Sequence, residues 1–170
     1  SQFAAARVEK DLLDQKPDVV FVEFSVNDDA NEFFMETYES LIRKIYTFDQ
    51  NTAIIIINCV RYDDGGSAEV WHAKVARYYE LPQISMQRSI YPEVAAGRIS
   101  AEEITADYLH PNDIGHKLVA GVIESFLEEV YTEREQKEAE AEEKAPLTEA
   151  SYQHAVRYRN DNCDPVITGG

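Results

Sequence analysis

Two nearly continuous apolar runs, "DVVFVEFSV" (Asp18 to Val26) and "TAIIIINCV" (Thr52 to Val60), constrain the fold more than any other part of the chain. A strand with one wet face alternates apolar and polar residues, whereas an unbroken apolar run is the pattern of a strand covered on both faces in a parallel sheet. Between the two runs the period changes. Phe34, Tyr38, Leu41, Ile42 and Ile45 recur at the spacing of one helical face over Phe33 to Phe48. Strand, helix and strand in succession predict an α/β domain with parallel strands joined by right-handed crossovers.

The rest of the chain extends this pattern. Phe3, Ala6, Val8, Leu12 and Leu13 can share one face of a helix over Ser1 to Gln15, and Lys16-Pro17 ends it because the residue before a proline disfavours helical backbone. Gly65-Gly66 breaks the loop "RYDDGGS" ahead of a third helix around Ala68 to Tyr79. A shorter strand in "LPQISM", a helical stretch over Ser89 to Ala96 and a capped turn over Ser100 to Thr105 follow. Pro111 to Tyr131 reads as a long amphipathic helix with Pro111 near its first turn. About three strands are legible, fewer than the usual 5 to 6 of a sheet. The sheet is therefore expected to be incomplete, with residues 1–131 forming a partial domain, 132–146 a charged helical linker, and 147–170 the start of a β-rich appendage or an extra strand suggested by "YQHAVRY".

Charge narrows the partners. A formal net charge of -16 opposes a polyphosphate backbone, whose binding depends on Lys and Arg displacing counterions, so nucleic acid and anionic membrane are excluded as expected partners. Much of the acidity lies in "EREQKEAEAEEK" (Glu133 to Lys144), the composition of a solvated helix. No apolar run approaches the roughly 20 residues that span a bilayer. Cys59 and Cys163 are too few for a disulfide framework, and they leave the compartment open.

In open parallel sheets, ligands sit beyond the carboxyl ends of the strands. That rule selects three segments: "SVNDDAN", "RYDDGG" and the approach to "ADYLHPNDIGH". A histidine acts as a general base only when its second ring nitrogen is held in the right tautomer, and Asp107, three residues before His110, can supply the carboxylate that does so. The same spacing also suits a loop histidine ahead of a helix, with Asp107, Asn112 or Asp113 capping backbone amides. Asn27, just beyond the first strand, offers a side-chain N-H to a developing oxyanion, and equally suits an Asx turn.

Taken together, an apolar strand ending in "SVND" and a later "DYLHPNDIGH" leading into an amphipathic helix resemble the SGNH (GDSL) hydrolase family of esterases and lipases. There the third sequence block is G-x-N-D and the fifth D-x-x-H. The likeness runs from the opening helix to about Tyr131 and rests on "KPDVVFVEFSVND" and "LHPNDIGHKLVA". The resemblance implies a flavodoxin-like three-layer α/β/α fold and ester hydrolysis by a Ser-His-Asp triad that needs no cofactor or metal. It makes His110 the general base, Asp107 its orienting acid and Asn27 an oxyanion-hole donor. Its substrates are small acyl esters, with acetylated carbohydrate suggested by analogy.

The chain also departs from that pattern. The family's G-D-S block with the nucleophilic serine, and the second block with its oxyanion glycine, are absent. Ser25 stands where the family has glycine, and a serine two residues before the oxyanion asparagine on one strand is poorly placed to face it across a carbonyl. The expectation is therefore a fragment whose serine and glycine lie upstream, inactive alone, with an apolar strand edge driving association with itself or with that segment. Two other functions compete: a metal-dependent hydrolase using Asp28, Asp29, Asp63, Asp107 and His110, and a non-catalytic binding module of the same fold. Trp71 and His72 read as packing residues of a helix, His116 as helix surface, and Asp63-Asp64 as a turn.

Overall fold

A computed structural model of the chain describes residues 1–132, 144–159 and 162–163. Three strands, β1 (Val19–Val22), β2 (Ala53–Asn58) and β3 (Gln83–Ser85), form a parallel sheet in the order β1-β2-β3. Val20 pairs with Ile54 and Val22 with Ile56, while Ile57 pairs with Ile84. This register sends alternate residues of β2 to opposite faces, and both faces are covered, as its unbroken apolar pattern requires.

On one face, Ile54 and Ile56 meet Tyr38, Leu41, Ile42 and Ile45 of α3 (Glu32–Phe48) and Val75, Ala76 and Tyr79 at the end of α4 (Glu69–Tyr78). The short helices α1 (Gln2–Ala5) and α2 (Val8–Asp11) add Ala5 and Val8 to this layer. On the other face, Ile55 and Ile84 pack with Val60, Met86, Ile90 and Ile104, backed by Leu118, Val122 and Phe126 of α8 (Asp113–Thr132). The intervening helices are α5 (Met86–Ser89), α6 (Tyr91–Ala95) and α7 (Ala101–Ile104). The result is the expected three-layer α/β/α arrangement. Each fully buried side chain such as Ile42 or Ile56 contributes about 1.5–3 kcal/mol relative to exposure.

Several expectations are corrected. β1 is not covered on both faces: Val20 and Val22 are buried, but Val19 and Phe21 remain 47% and 45% exposed, because β1 is an edge strand and its second face carries no helix among the described residues. The opening helix is broken at Ala6-Arg7, where the Ala6 carbonyl accepts the Arg157 amide at 2.8 Å. A carbonyl taken by the C-terminal segment is less available to close the next helical turn. Pro111 lies outside α8, in an isolated antiparallel bridge with Thr105. Asn112 starts the helix by accepting from the amides of Ile114 and Gly115 at 3.0 and 3.1 Å.

"YQHAVRY" pairs with no strand among the described residues; it contains a turn through His154 and then irregular chain. Its segment is tied instead to α3. Glu39, fully buried, accepts from the amides of Leu147 and Thr148 and from the hydroxyls of Thr148 and Tyr79, while Arg43 donates to Gln153, Tyr79 and the Lys144 carbonyl. Hydrogen bonds to a charged group are the stronger kind, roughly 1.5–3 kcal/mol each, and they fix this segment against α3. The linker expected over 132–146 lies, from 133 to 143, outside the described residues, as do 160–161 and 164–170. No described helix is long and apolar enough to cross a membrane.

Candidate active site

Because the strands are parallel, the loops after β1 and β2 leave the same edge of the sheet. They are fastened together there. The Cys59 carbonyl accepts the hydroxyls of Ser25 at 2.9 Å and Ser67 at 3.0 Å, and the Ser25 carbonyl accepts the Ala68 amide at 2.7 Å. The ends of β1 and β2 and the start of α4 thus share one junction. Burial, reinforced by the negative charge of Glu23, pushes the Cys59 thiol up to about 12, so it is no thiolate nucleophile at neutral pH.

The third segment joins the same edge. The Tyr62 amide donates to the Tyr108 carbonyl at 2.7 Å, linking the loop after β2 to the loop before α8. That loop is closed at its base by the Thr105–Pro111 bridge and by the Asn112 amide on the Ile104 carbonyl at 2.9 Å. Gly115 permits the closure: a Cβ there would lie 2.2 Å from the Ile104 carbonyl oxygen and 2.9 Å from Cβ of Pro111.

Within this loop Asp107 uses both oxygens. Oδ1 accepts the amides of His110 and Leu109 at 2.7 and 3.1 Å, and Oδ2 lies 2.6 Å from His110 Nδ1. The histidine contact and the amide capping that this spacing allows are therefore both present, on different oxygens of one carboxylate. The His110 side-chain hydrogen bond, followed by the two backbone amides, holds the Asp107 carboxyl down at about 2. An ionised Asp107 on Nδ1 favours the tautomer with its proton there, which leaves Nε2 as the acceptor. The His110 side chain is 78% exposed, so that nitrogen faces outward.

Asn27 sits on the same sheet edge, exposed, at a groove of about 580 Å³ that also touches Phe24, Asp28 and Phe34. Its backbone amide donates to the Phe24 carbonyl at 3.1 Å, and no hydrogen bond among the described residues joins its side chain to His110. Ser25 is fully buried, and its hydroxyl donates to Glu23 and Cys59. It cannot meet a substrate.

The sequence reading passed over two features of this edge. Asp28, read as a possible metal ligand, is buried against His72 Nε2 at 3.1 Å, while His72 stacks on Tyr38 with ring centroids 3.7 Å apart. Asp63 is held by Arg61 at 2.6 Å, and among the described residues no three His, Cys, Asp or Glu side chains gather as a metal site. The proposed metal set is thus dispersed over separate partners. The second feature is Tyr108, whose φ of 63° places a bulky residue in left-handed backbone, at a cost of about 1–2 kcal/mol. No motif signalled either one.

This is an α/β chain whose sheet edge carries a positioned His-Asp pair. It is similar to the crystal structure of a two-domain esterase (CEX) active on acetylated mannans, with 51% identity and a TM-score of 0.91 over 94% of this chain and 43% of that one. A second crystal structure of such an esterase, co-crystallized with mannopentaose, gives 51% identity and 0.86 over 94% and 42%. The chain thus spans less than half the length of these relatives. A protein from Lactobacillus plantarum, at 18% identity with a TM-score of 0.59 over 74% of this chain and 72% of that one, shares the fold alone. No family model and no curated protein matches the chain.

Proposed function

We propose that this chain is the His-Asp portion of a serine ester hydrolase of the SGNH type that removes acetyl or other short acyl groups from carbohydrate. The observation that carries the reading is the 2.6 Å contact between His110 Nδ1 and Asp107 Oδ2, with Nε2 left facing solvent at the edge where parallel-sheet enzymes bind ligands. Activity on acetylated mannans in the similar two-domain esterase supports the substrate class.

In this mechanism His110 Nε2 takes the proton of a serine hydroxyl as the oxygen attacks the acyl carbonyl, then returns it to the departing sugar oxygen. Asp107 keeps the imidazole oriented and stabilises its cation. Asn27 donates its side-chain N-H to the oxyanion. The acyl-serine is then hydrolysed by water activated through the same nitrogen.

The serine and the glycine donor come from a segment outside these residues, paired along the free edge of β1. Two observations favour this arrangement: the place of β1 at the edge of the described sheet, and hydroxyls of Ser25, Ser67, Ser85 and Ser100 that are all engaged elsewhere. In that reading the chain alone is inactive, and the remainder after 146 leads into the β-rich appendage.

The test is acetate release from acetylated manno-oligosaccharide by the full-length protein and its His110→Ala variant. Release by the wild type and loss of roughly 10³-fold or more in the variant is expected. Equal release by both sinks the proposal.

A further inference from the structure

We infer that Tyr108 is a sugar-binding residue, its ring a platform for the pyranose that carries the scissile ester. The inference rests on the hydrolase reading above and names a determinant of its substrate class.

Four non-glycine residues among those described have positive φ, and Tyr108 is the one that lies in the loop of the His-Asp pair. Glycine would adopt this conformation freely, so a tyrosine here is not selected by the local fold. Nor is its ring a core residue, since Tyr108 remains 39% exposed. A strained, exposed aromatic directly between Asp107 and His110 points to contact with whatever His110 acts on.

The ring is also fixed at both ends. Its residue amide donates to Thr105 Oγ1 at 3.0 Å, its carbonyl accepts the Tyr62 amide at 2.7 Å, and its hydroxyl donates to Glu102 Oε1 at 2.9 Å. A tethered ring presents one orientation without paying ordering entropy on binding. The chemistry around it selects the ligand. The hydrogen bond to Glu102 and its negative charge raise the phenol pKa, so a carboxylate stands at the hydroxyl end of the ring. A carboxylate there disfavours an anion and can accept a hydroxyl proton, while an aromatic face suits the apolar C-H face of a sugar. A neutral pyranose matches both features.

The experiment compares kcat/KM of the full-length protein on acetylated manno-oligosaccharide and on 4-nitrophenyl acetate, which has the ester but no sugar. In Tyr108→Gly the ratio of the two is expected to fall roughly three- to tenfold through KM for the oligosaccharide, and inhibition by unacetylated mannopentaose to weaken by a similar factor. Tyr108→Asn, which also accepts left-handed backbone without the ring, should behave alike, and Tyr108→Phe should keep the ratio. An unchanged ratio in both ring-deleted variants overturns the inference. Failure of the wild type to hydrolyse either ester overturns the hydrolase reading instead, so the two failures are distinguishable.

Discussion

Asp107 grips His110 twice, through the backbone amide at 2.7 Å with one carboxylate oxygen and through ring Nδ1 at 2.6 Å with the other. One side chain thus sets both the course of the loop and the tautomer of the imidazole. The two tasks respond differently to substitution, which makes them separable by experiment.

Asp107→Asn retains an oxygen for the amides but turns an N-H toward Nδ1, favouring the tautomer with the proton on Nε2. Esterase kcat of the full-length protein should fall by roughly 10⁴-fold, with a melting temperature close to that of the wild type. A loss of activity matched by a loss of fold would contradict the orienting role.

Asp107 titrates at about 2, below the ordinary carboxylate value, so its contribution to loop stability is fully present above the unfolded value of 3.8 and disappears as pH falls through that range to about 2. Carbon-detected NMR titration of its carboxyl should show a midpoint near 2. A midpoint near 3.8 would mean that the three hydrogen bonds are not maintained in solution.

Gly115→Ala places a methyl 2.2 Å from a backbone oxygen that cannot swing aside. The start of α8 must separate from the Thr105–Pro111 bridge, at a cost of about 1–3 kcal/mol in thermal unfolding. Because that bridge closes the loop of the Asp107-His110 pair, ester turnover by the full-length protein should drop as well if the proposed mechanism holds. Gly121→Ala, where a Cβ meets nothing, serves as the control.

Glu39→Ala leaves the Leu147 and Thr148 amides and the Tyr79 hydroxyl without their acceptor. A loss on the order of 2–3 kcal/mol is expected. Hydrogen exchange should report it locally, as faster exchange over 144–155. Unchanged protection there would show that the C-terminal segment is held by other contacts.

The exposed edge of β1 should favour association of this chain when it is produced alone. Phe21→Lys puts a charge on that strand and should shift sedimentation toward monomer. A chain that is already monomeric, or a variant that associates equally, removes the edge from consideration as an interface.

The fold was legible where periodicity reflects burial on both sides. Ile54, Ile55 and Ile56 are all buried, so their unbroken pattern marked β2 directly, and Tyr38, Leu41, Ile42 and Ile45 marked the core face of α3. The same pattern misled at β1, because apolar composition records what a strand can bury, and Val19 and Phe21 stay about half exposed among the described residues. The break in the first helix coincides with a hydrogen bond from Arg157, some 150 residues away in sequence, which no local signal encodes. At the sheet edge, Asp107 and His110 were legible because they are close in sequence. The Asp28–His72 pair and the left-handed Tyr108 were not, since one joins two distant elements and the other lies where the Tyr108 amide donates to Thr105 and its carbonyl accepts from Tyr62.

The central claim is that His110 activates a serine supplied from outside these residues. The direct measurement is labelling with a fluorophosphonate probe, with the adduct mapped by mass spectrometry in this chain, in the full-length protein and in its His110→Ala variant. The account predicts a single adduct, only in the full-length protein, on a serine beyond these residues and lost with His110. A stoichiometric adduct on Ser25 of this chain, or labelling indifferent to His110, would contradict it.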